Sequence, residues 1–276
     1  MSWRVCAGLV ALAVLLVPAF VIAPRPLAAS ISGGGFDDRG ELVDSFSESF
    51  VAYWRSGERN FSPDLERIAD YWSHYHAVKA VIAALLLIVF IALGVLLWKA
   101  FLQAGGLGAG SRAALASAGA VVTALALFAL AAVMANVQGA TAPFSSLLPM
   151  LPIHASHGEL ADTLHQVGQG LADYPDGTGD RTPSALEAMV GDFARYHAVI
   201  AVAGTVVAVV LAGMCVASWR RSARTGVSDG RTRRVFRSFG IVSGLLSAAV
   251  VVVAVANTAT TADPAPALLA FFEGGW

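Results

Sequence analysis

The sequence predicts an all-α fold: a polytopic helical membrane protein built as a tandem parallel repeat of two-span hairpins with helical outer segments. The first observation is compositional. Hydrophobic residues make up 57% of the 276 positions and charged residues only 13%, whereas a soluble domain is roughly half apolar and a quarter charged. The second observation is a set of long apolar stretches, and the third is a match between the two halves of the chain.

Five apolar stretches each approach the roughly 20 residues that a helix needs to cross a bilayer. They cover residues 5–23, 77–98, 113–135, 198–219 and 239–256. The first stretch has two interpretations. Arg4, with no second arginine beside it, precedes an apolar run ending near Pro18, and Ala28-Ala29-Ser30 offers small residues for cleavage, as in a signal peptide. Because apolar character continues to Ala23, residues 1–30 are predicted as a signal peptide or a signal anchor, and we favour the retained anchor.

The segments between the later stretches alternate in charge. The loop after residue 219 contains seven arginines against Asp229, namely Arg220, Arg221, Arg224, Arg231, Arg233, Arg234 and Arg237. Lys99 and Arg112 flank the other short loop, whereas residues 24–74 and 138–196 are rich in acids. The positive-inside rule predicts a multi-pass protein of the plasma (inner) membrane with cytoplasmic arginine-rich loops. The acidic segments and the C-terminus are expected outside.

The chain repeats itself at a shift of 121 residues. Tyr-His-Ala-Val begins at Tyr75 and again at Tyr196, and residues that are uncommon in apolar segments coincide at the same shift. These include Trp98 and Trp219, Arg112 and Arg233, Asn136 and Asn257, and Pro143 and Pro264. The pattern predicts a duplication, with residues 31–150 as the first repeat and 151–276 as the second. Each repeat holds two spans, so both enter the membrane in the same sense and are parallel.

Eight shared residues are the candidate structural or interaction positions: Tyr75, His76, Trp98, Asn136, Tyr196, His197, Trp219 and Asn257. From Tyr75 to Trp98 a helix extends about 35 Å, enough for a span with its interfaces. The tyrosines and tryptophans are therefore predicted as interfacial aromatic belts. Asn136 and Asn257 return to the depth of the histidines, which predicts a His–Asn hydrogen bond in each repeat.

The outer segments are predicted to be helical. Leu42, Phe46, Phe50, Tyr53 and Trp54 recur at helical spacing. Ser62-Pro63 and Thr182-Pro183 are start signals for the helices that continue into the spans, and residues 173–183 have the composition of a loop. We expect each outer segment to pack against its duplicate or against a partner.

No pattern in the sequence predicts a reaction. Catalytic triads, paired carboxylates, P-loops and dinucleotide fingerprints are not recognisable, so we predict no enzyme and assign no catalytic, cofactor-binding or metal-ligating residue. The outer histidines are His74, His76, His154, His157, His165 and His197, and metal or haem binding by them is an alternative supported by spacing alone. Lys79 is the one charged residue within a predicted span, which argues against an ion-coupled transporter.

Two further patterns concern packing and lipids. Gly240 and Gly244 form a GxxxG element, which favours close helix packing, here predicted within the bundle. The arginine run fixes topology, and it also suits the head groups of anionic lipids.

The stretches "YHAVKAVIAALLLIVFIALGVLLWKAF" and "ALFALAAVMANVQGATAPFSSLLPML" resemble a group of uncharacterised multi-pass membrane proteins of actinobacteria. Some members of that group are labelled as carrying a Tat-type export signal. The resemblance covers most of one repeat and implies no particular reaction.

The function expected from these patterns is that of a non-enzymatic integral membrane protein of the bacterial cell envelope, an accessory or scaffold subunit. Its expected surroundings are the lipid bilayer and a membrane or envelope protein partner, with no cofactor and no nucleic acid. The alternative is a facilitator that moves a lipid or small molecule along the groove between the repeats.

Overall fold

A computed structural model describes residues 3–106, 108–174, 183–226 and 229–275, and the regular structure of these residues is entirely helical. The α-helices are α1 (Trp3–Ile22), α2 (Pro24–Ile31), α3 (Arg39–Ser56), α4 (Pro63–Gln103), α5 (Ala109–Thr141), α6 (Pro143–Leu147), α7 (Glu159–Ala172), α8 (Ser184–Arg224), α9 (Gly230–Ala262) and α10 (Ala265–Phe272). One turn of 3₁₀ helix, Leu148–Met150, follows α6. The predicted all-α class is confirmed for the described residues.

Among the described residues, five helices are long and apolar enough to cross a membrane: α1, α4, α5, α8 and α9. They contain the five predicted stretches, apart from Ala23 at the end of the first. Helices α4 and α8 have 41 residues each, which is about 60 Å and far more than the roughly 30 Å hydrocarbon core. Each therefore continues well beyond its predicted span, as the apolar spacing after Pro63 predicts for α4.

The helices form two compact units, and each unit contains segments from both halves of the chain. The first, here named the bundle unit, comprises Met1–Ile22, Lys79–Ala135 and Val202–Val255. The second, here named the aromatic unit, comprises Ala23–Val78, Asn136–Ala201 and Ala256–Trp276. The domain boundaries predicted at residues 30 and 150 divide the chain into consecutive segments instead, and they stay a prediction.

Rings of phenylalanine and tyrosine fill the core of the aromatic unit. Phe144 on α6 is fully buried, and the ring centroids of Phe46, Phe50, Tyr53 and Phe61 lie between 5.2 and 6.3 Å from its own. Three of these four rings belong to the predicted apolar face of α3. Leucines and other apolar side chains of α7, α8 and α10 complete the same core, so this unit is held together mainly by burial of apolar surface.

The helix ends in this unit follow ordinary capping chemistry. The carboxylate of Asp38 accepts from the amide of Glu41 at the start of α3, which ends at Gly57 in the left-handed conformation (φ 65°). The Ser62 hydroxyl accepts from the Leu65 amide at 3.4 Å, so the start signal predicted for α4 is confirmed. Thr182 and the other residues of 175–182 lie outside the described residues, so the second start signal and most of the predicted loop are untested.

Tyr53 connects α3 to the beginning of α8. Its hydroxyl lies 3.2 Å from the Arg59 carbonyl oxygen and 3.3 Å from that of Ala185, and it donates to these acceptors. Burial raises the pKa of Tyr53 to about 12, so the hydroxyl remains a hydrogen-bond donor well above neutral pH. The nearby Arg59–Glu187 ion pair, at 3.1 Å, is exposed to solvent and contributes little by comparison.

The first two helices have different environments. In the bundle unit, the Lys79 ammonium lies 4.7 Å from the Phe20 ring centroid of α1, a cation–π contact. In the aromatic unit, the three small residues considered for cleavage lie in helix α2, where Ala28 is fully buried and Ser30 is exposed. Whether residues 1–30 are retained stays a prediction.

We expect Phe144→Ala to lower the free energy of unfolding by about 3–5 kcal/mol, because it leaves a cavity among four rings. The matched control is Phe128→Ala in α5, whose side chain is 74% exposed and whose removal creates no cavity. Thermal unfolding of both variants in one detergent, followed by circular dichroism, measures the difference. Equal melting temperatures for the two variants would contradict this description of the core.

Candidate functional site

Six of the eight candidate positions lie in the aromatic unit and two in the bundle unit. The six are Tyr75, His76, Asn136, Tyr196, His197 and Asn257, and the two are Trp98 and Trp219. The structure brings each histidine to its predicted asparagine, so the six form two local sites with the same design.

The first site joins α4 to α5. His76 Nδ1 lies 2.9 Å from Asn136 Oδ1, and Asn136 is buried. Because an amide oxygen only accepts, Nδ1 of the imidazole carries the proton. Trp72 and Tyr75 contact the ring edge to face, with centroids 4.7 and 5.5 Å away. The imidazole is therefore fixed by one hydrogen bond and two aromatic neighbours.

The second site joins α8 to α9 in the same way. His197 Nδ1 lies 2.8 Å from Asn257 Oδ1. Phe193 and Tyr196 contact the ring, with centroids 4.6 and 5.5 Å away. Both predicted His–Asn hydrogen bonds are confirmed, and in each the ring contacts come from residues four and one positions before the histidine.

Gly139 lets α5 approach the imidazole of the first site closely. A Cβ atom on Gly139 would lie 2.7 Å from Cγ of His76, closer than any side chain tolerates without movement. Helix α5 can approach the imidazole only because this position has no side chain. The corresponding residue of the second site is Thr260, whose hydroxyl donates to the Ala256 carbonyl at 3.2 Å.

Three more hydrogen bonds surround the first site. The Ser73 hydroxyl donates to the Ala140 carbonyl at 2.8 Å, and the Trp72 indole donates to the Ser146 hydroxyl at 2.8 Å. The buried amide of Gln138 donates to the Tyr196 carbonyl at 3.0 Å, so it connects α5 to the helix that carries the second histidine. The two sites are thus linked through the backbone of α8.

A buried carboxylate connects α8 to the start of α6. Asp192 Oδ2 accepts from the Ser145 amide at 2.8 Å and from the Ser145 hydroxyl at 2.7 Å. No side chain of α6 itself caps this end, so Asp192 acts as an N-cap supplied by another helix. Burial raises the pKa of Asp192, and the two hydrogen bonds from Ser145 and the charge of Arg195 oppose that rise.

The two tryptophans pack on glycines of the following helix. A Cβ atom on Gly119 would lie 3.0 Å from the Trp98 ring, and one on Gly240 would lie 2.9 Å from the Trp219 ring. Trp98 also donates to the Thr123 hydroxyl at 3.1 Å. A Cβ atom on Gly244 would meet Cys215 Sγ of α8 at 3.3 Å, so the GxxxG element packs within the bundle unit, as predicted. The interfacial role of the tryptophans stays a prediction.

Three of the outer histidines, His74, His157 and His165, have partners nearby in the sequence. His74 Nδ1 bonds the Asp70 carbonyl at 2.8 Å, His165 Nε2 bonds the Gln169 amide at 3.0 Å, and His157 bonds the carbonyl of Ser156. In the part of the chain that the structure describes, no three His, Cys, Asp or Glu side chains are grouped as a metal site requires. The metal alternative gains no support from this arrangement.

Sequence reasoning missed Gly139, Gln138, Ser145 and Asp192. The first three differ from their counterparts in the other half of the chain, Thr260, Ala259 and Pro266, and Asp192 corresponds to Tyr71. A search for shared residues therefore passes over them. The available signal was the acid at position 192, which stands one turn before Tyr196 in an otherwise apolar face of α8.

Interpretation of these sites depends on their geometry. Neither a protein-family model, nor a curated protein, nor a solved structure matches the chain. The hydrogen bonds and ring contacts described above are therefore the observations from which a function is proposed.

We expect Gly139→Ala to destabilise the protein by about 1–3 kcal/mol, because the new methyl group displaces the His76 ring and its bond to Asn136. Gly191→Ala is the control. A Cβ atom there meets nothing within 4 Å, and replacing a helical glycine by alanine stabilises by about 0.5–1 kcal/mol. Melting temperatures that move in opposite directions would agree with this geometry, whereas a harmless Gly139→Ala would contradict the close approach of α5.

We expect Asp192→Ala to cost about 1–3 kcal/mol, since it leaves the buried amide and hydroxyl of Ser145 without an acceptor. Asp192→Asn is the control, because both bonds go to one oxygen that an amide retains. A raised folded pKa means that the native state binds the proton more tightly than the unfolded state. The stability contributed by Asp192 therefore falls as pH rises from its ordinary pKa of 3.8 through the raised folded value.

The Asn variant has no such titration. Melting temperatures of wild type and both variants, measured from about pH 4 to about pH 8, separate the two effects. The wild type should lose stability relative to the Asn variant as pH increases, and a gain would show that Ser145 and Arg195 outweigh burial.

Proposed function

We propose that this chain is a non-enzymatic integral membrane protein of the bacterial cell envelope that acts as an accessory or scaffold subunit. The observation that carries the proposal is that buried polar side chains join helices to one another. Asp192, Tyr53 and the two histidines are the groups with which a helical membrane protein would bind or transform a substrate. Each of them instead joins one helix to another.

The proposed tandem repeat is supported by matching dimensions and contacts. Helices α4 and α8 have 41 residues each, and α5 and α9 have 33 each. The His–Asn bonds and the tryptophan–glycine contacts recur at the shift of 121 residues found in the sequence. Duplication of one hairpin with its outer segment accounts for these correspondences.

The proposed location is the plasma membrane, with the arginine-rich loops cytoplasmic and the acidic segments outside. The charge asymmetry of the loops supports this orientation. A well-packed aromatic unit on the outer side would offer a partner a folded surface, which lowers the entropic cost of binding. The partner expected is another membrane or envelope protein.

The test is purification of the tagged full-length chain from native membranes in mild detergent, followed by quantitative mass spectrometry of proteins and lipids. The Gly139→Ala variant, which disturbs the aromatic unit, is compared with the Gly191→Ala control. We expect one protein partner in stoichiometric amount, recovered again when the tag is placed on the partner. Its recovery should fall with Gly139→Ala and persist with Gly191→Ala.

Purification of a single chain with neither a partner nor self-association would contradict the scaffold proposal. A stoichiometric lipid without any protein partner would instead favour the lipid or small-molecule facilitator that uses the groove between repeats.

A further inference from the structure

We propose that the arginine-bearing end of α8 binds one anionic glycerophospholipid. Its phosphate would lie on Arg220, Arg221 and Arg224, and one acyl chain would lie in the apolar groove that precedes them. This site belongs to the bundle unit and is independent of the scaffold function proposed above.

An open groove of about 570 Å³ runs along this end of α8. Its lining residues form two neighbouring rows with a spacing of four, one through Ala212 and Val216 and the other through Gly213 and Ala217. Side chains four residues apart lie above one another on a helix, so each row continues directly into an arginine. The groove is thus an open, apolar face of α8 that ends in three guanidinium groups.

The dimensions of the groove suit a lipid. From Ala212 to Arg224 the helix rises about 18 Å, close to the roughly 15 Å of one hydrocarbon leaflet and the start of its head-group layer. Three of the four apolar lining residues are glycine or alanine, so little side-chain volume fills this face of α8. A Cβ atom on Gly213 would meet nothing within 4 Å, which leaves room for an acyl chain beside Val216.

The positive charge at the end of the groove is not neutralised by the protein. Within the described residues, no carboxylate forms an ion pair with the three arginines, and Arg221 lies over the Phe236 ring at 5.7 Å. The one acid of this loop, Asp229, accepts from the Thr232 amide at 3.1 Å. Hydrogen bonds from Thr232, aided by the charge of Arg231, lower the pKa of Asp229.

A phosphodiester meets both requirements of the site at once. Guanidinium groups bind phosphate oxygens in a bidentate manner, and the apolar rows accept the attached hydrocarbon. A soluble phosphate would use the arginines and leave the groove exposed. Arg234 and Arg237 of α9 have the same charge but do not line the groove. Substituting them therefore serves as the control that distinguishes a specific site from general attraction to an anionic surface.

The test uses the full-length chain in vesicles of equal parts phosphatidylglycerol and phosphatidylcholine, extracted gently for native mass spectrometry. We expect one phosphatidylglycerol per chain. Arg220→Gln with Arg224→Gln should reduce the fraction of lipid-bound chains about tenfold or more, whereas Arg234→Gln with Arg237→Gln should change it less than about twofold. Equal losses for the two pairs would overturn the site in favour of unspecific surface charge.

A second pair of variants tests the groove without altering charge. Gly213→Leu places a side chain in the groove and should displace the lipid, while Gly191→Leu, on the same helix but outside the groove, should not. Retention of lipid by Gly213→Leu would overturn the proposed acyl position. Wild-type samples are also washed with inorganic phosphate, and displacement of the lipid by phosphate would identify a soluble phosphate compound as the occupant instead. Size-exclusion profiles of each variant confirm that the fold is retained.

Discussion

The hydrogen bond between a histidine and an asparagine sets the register of the two helices in each half of this protein. Helices as long and as apolar as α4 and α5 can slide past one another with little change in buried area, since lipid is as apolar as their side chains. A buried polar pair removes that freedom, because any slip leaves both groups without a partner. His76 with Asn136, and His197 with Asn257, supply this constraint at 2.9 and 2.8 Å.

The two halves share this pair but differ in what surrounds it. Gly139 lets α5 touch the imidazole, and Gln138 reaches the backbone of α8, whereas Thr260 and Ala259 occupy these positions in the other half. The cap formed by Asp192 and Ser145 is also one-sided. Its counterpart positions carry Tyr71 and Pro266, and proline has no N–H to donate. Gln138 and Ser145 thus differ from their counterparts at positions that join the two halves of the chain.

The aromatic unit and the bundle unit obtain their stability from different sources. In the aromatic unit, fully buried rings lie around Phe144, and burial of apolar surface is the main driving force for its packing. In the bundle unit, glycine contacts such as Gly119 with Trp98 and Gly240 with Trp219 bring helices close, and small residues at such interfaces are typical of long apolar helices. The arginine end of α8 belongs to neither pattern, since its apolar residues and its arginines are all exposed.

The sequence by itself determined the helical class, the five long apolar helices, the start of α4 at Ser62-Pro63 and the two His–Asn bonds. Each of these depends on a local pattern or on a repeated uncommon residue, and such patterns can be recognised without knowledge of distant contacts. Only the tertiary structure decided that Asp192 caps α6, that Gly139 lies under His76 and that residues of both halves share one aromatic core. These features join residues far apart in the chain. The type of a single residue does not indicate which distant group its side chain will contact.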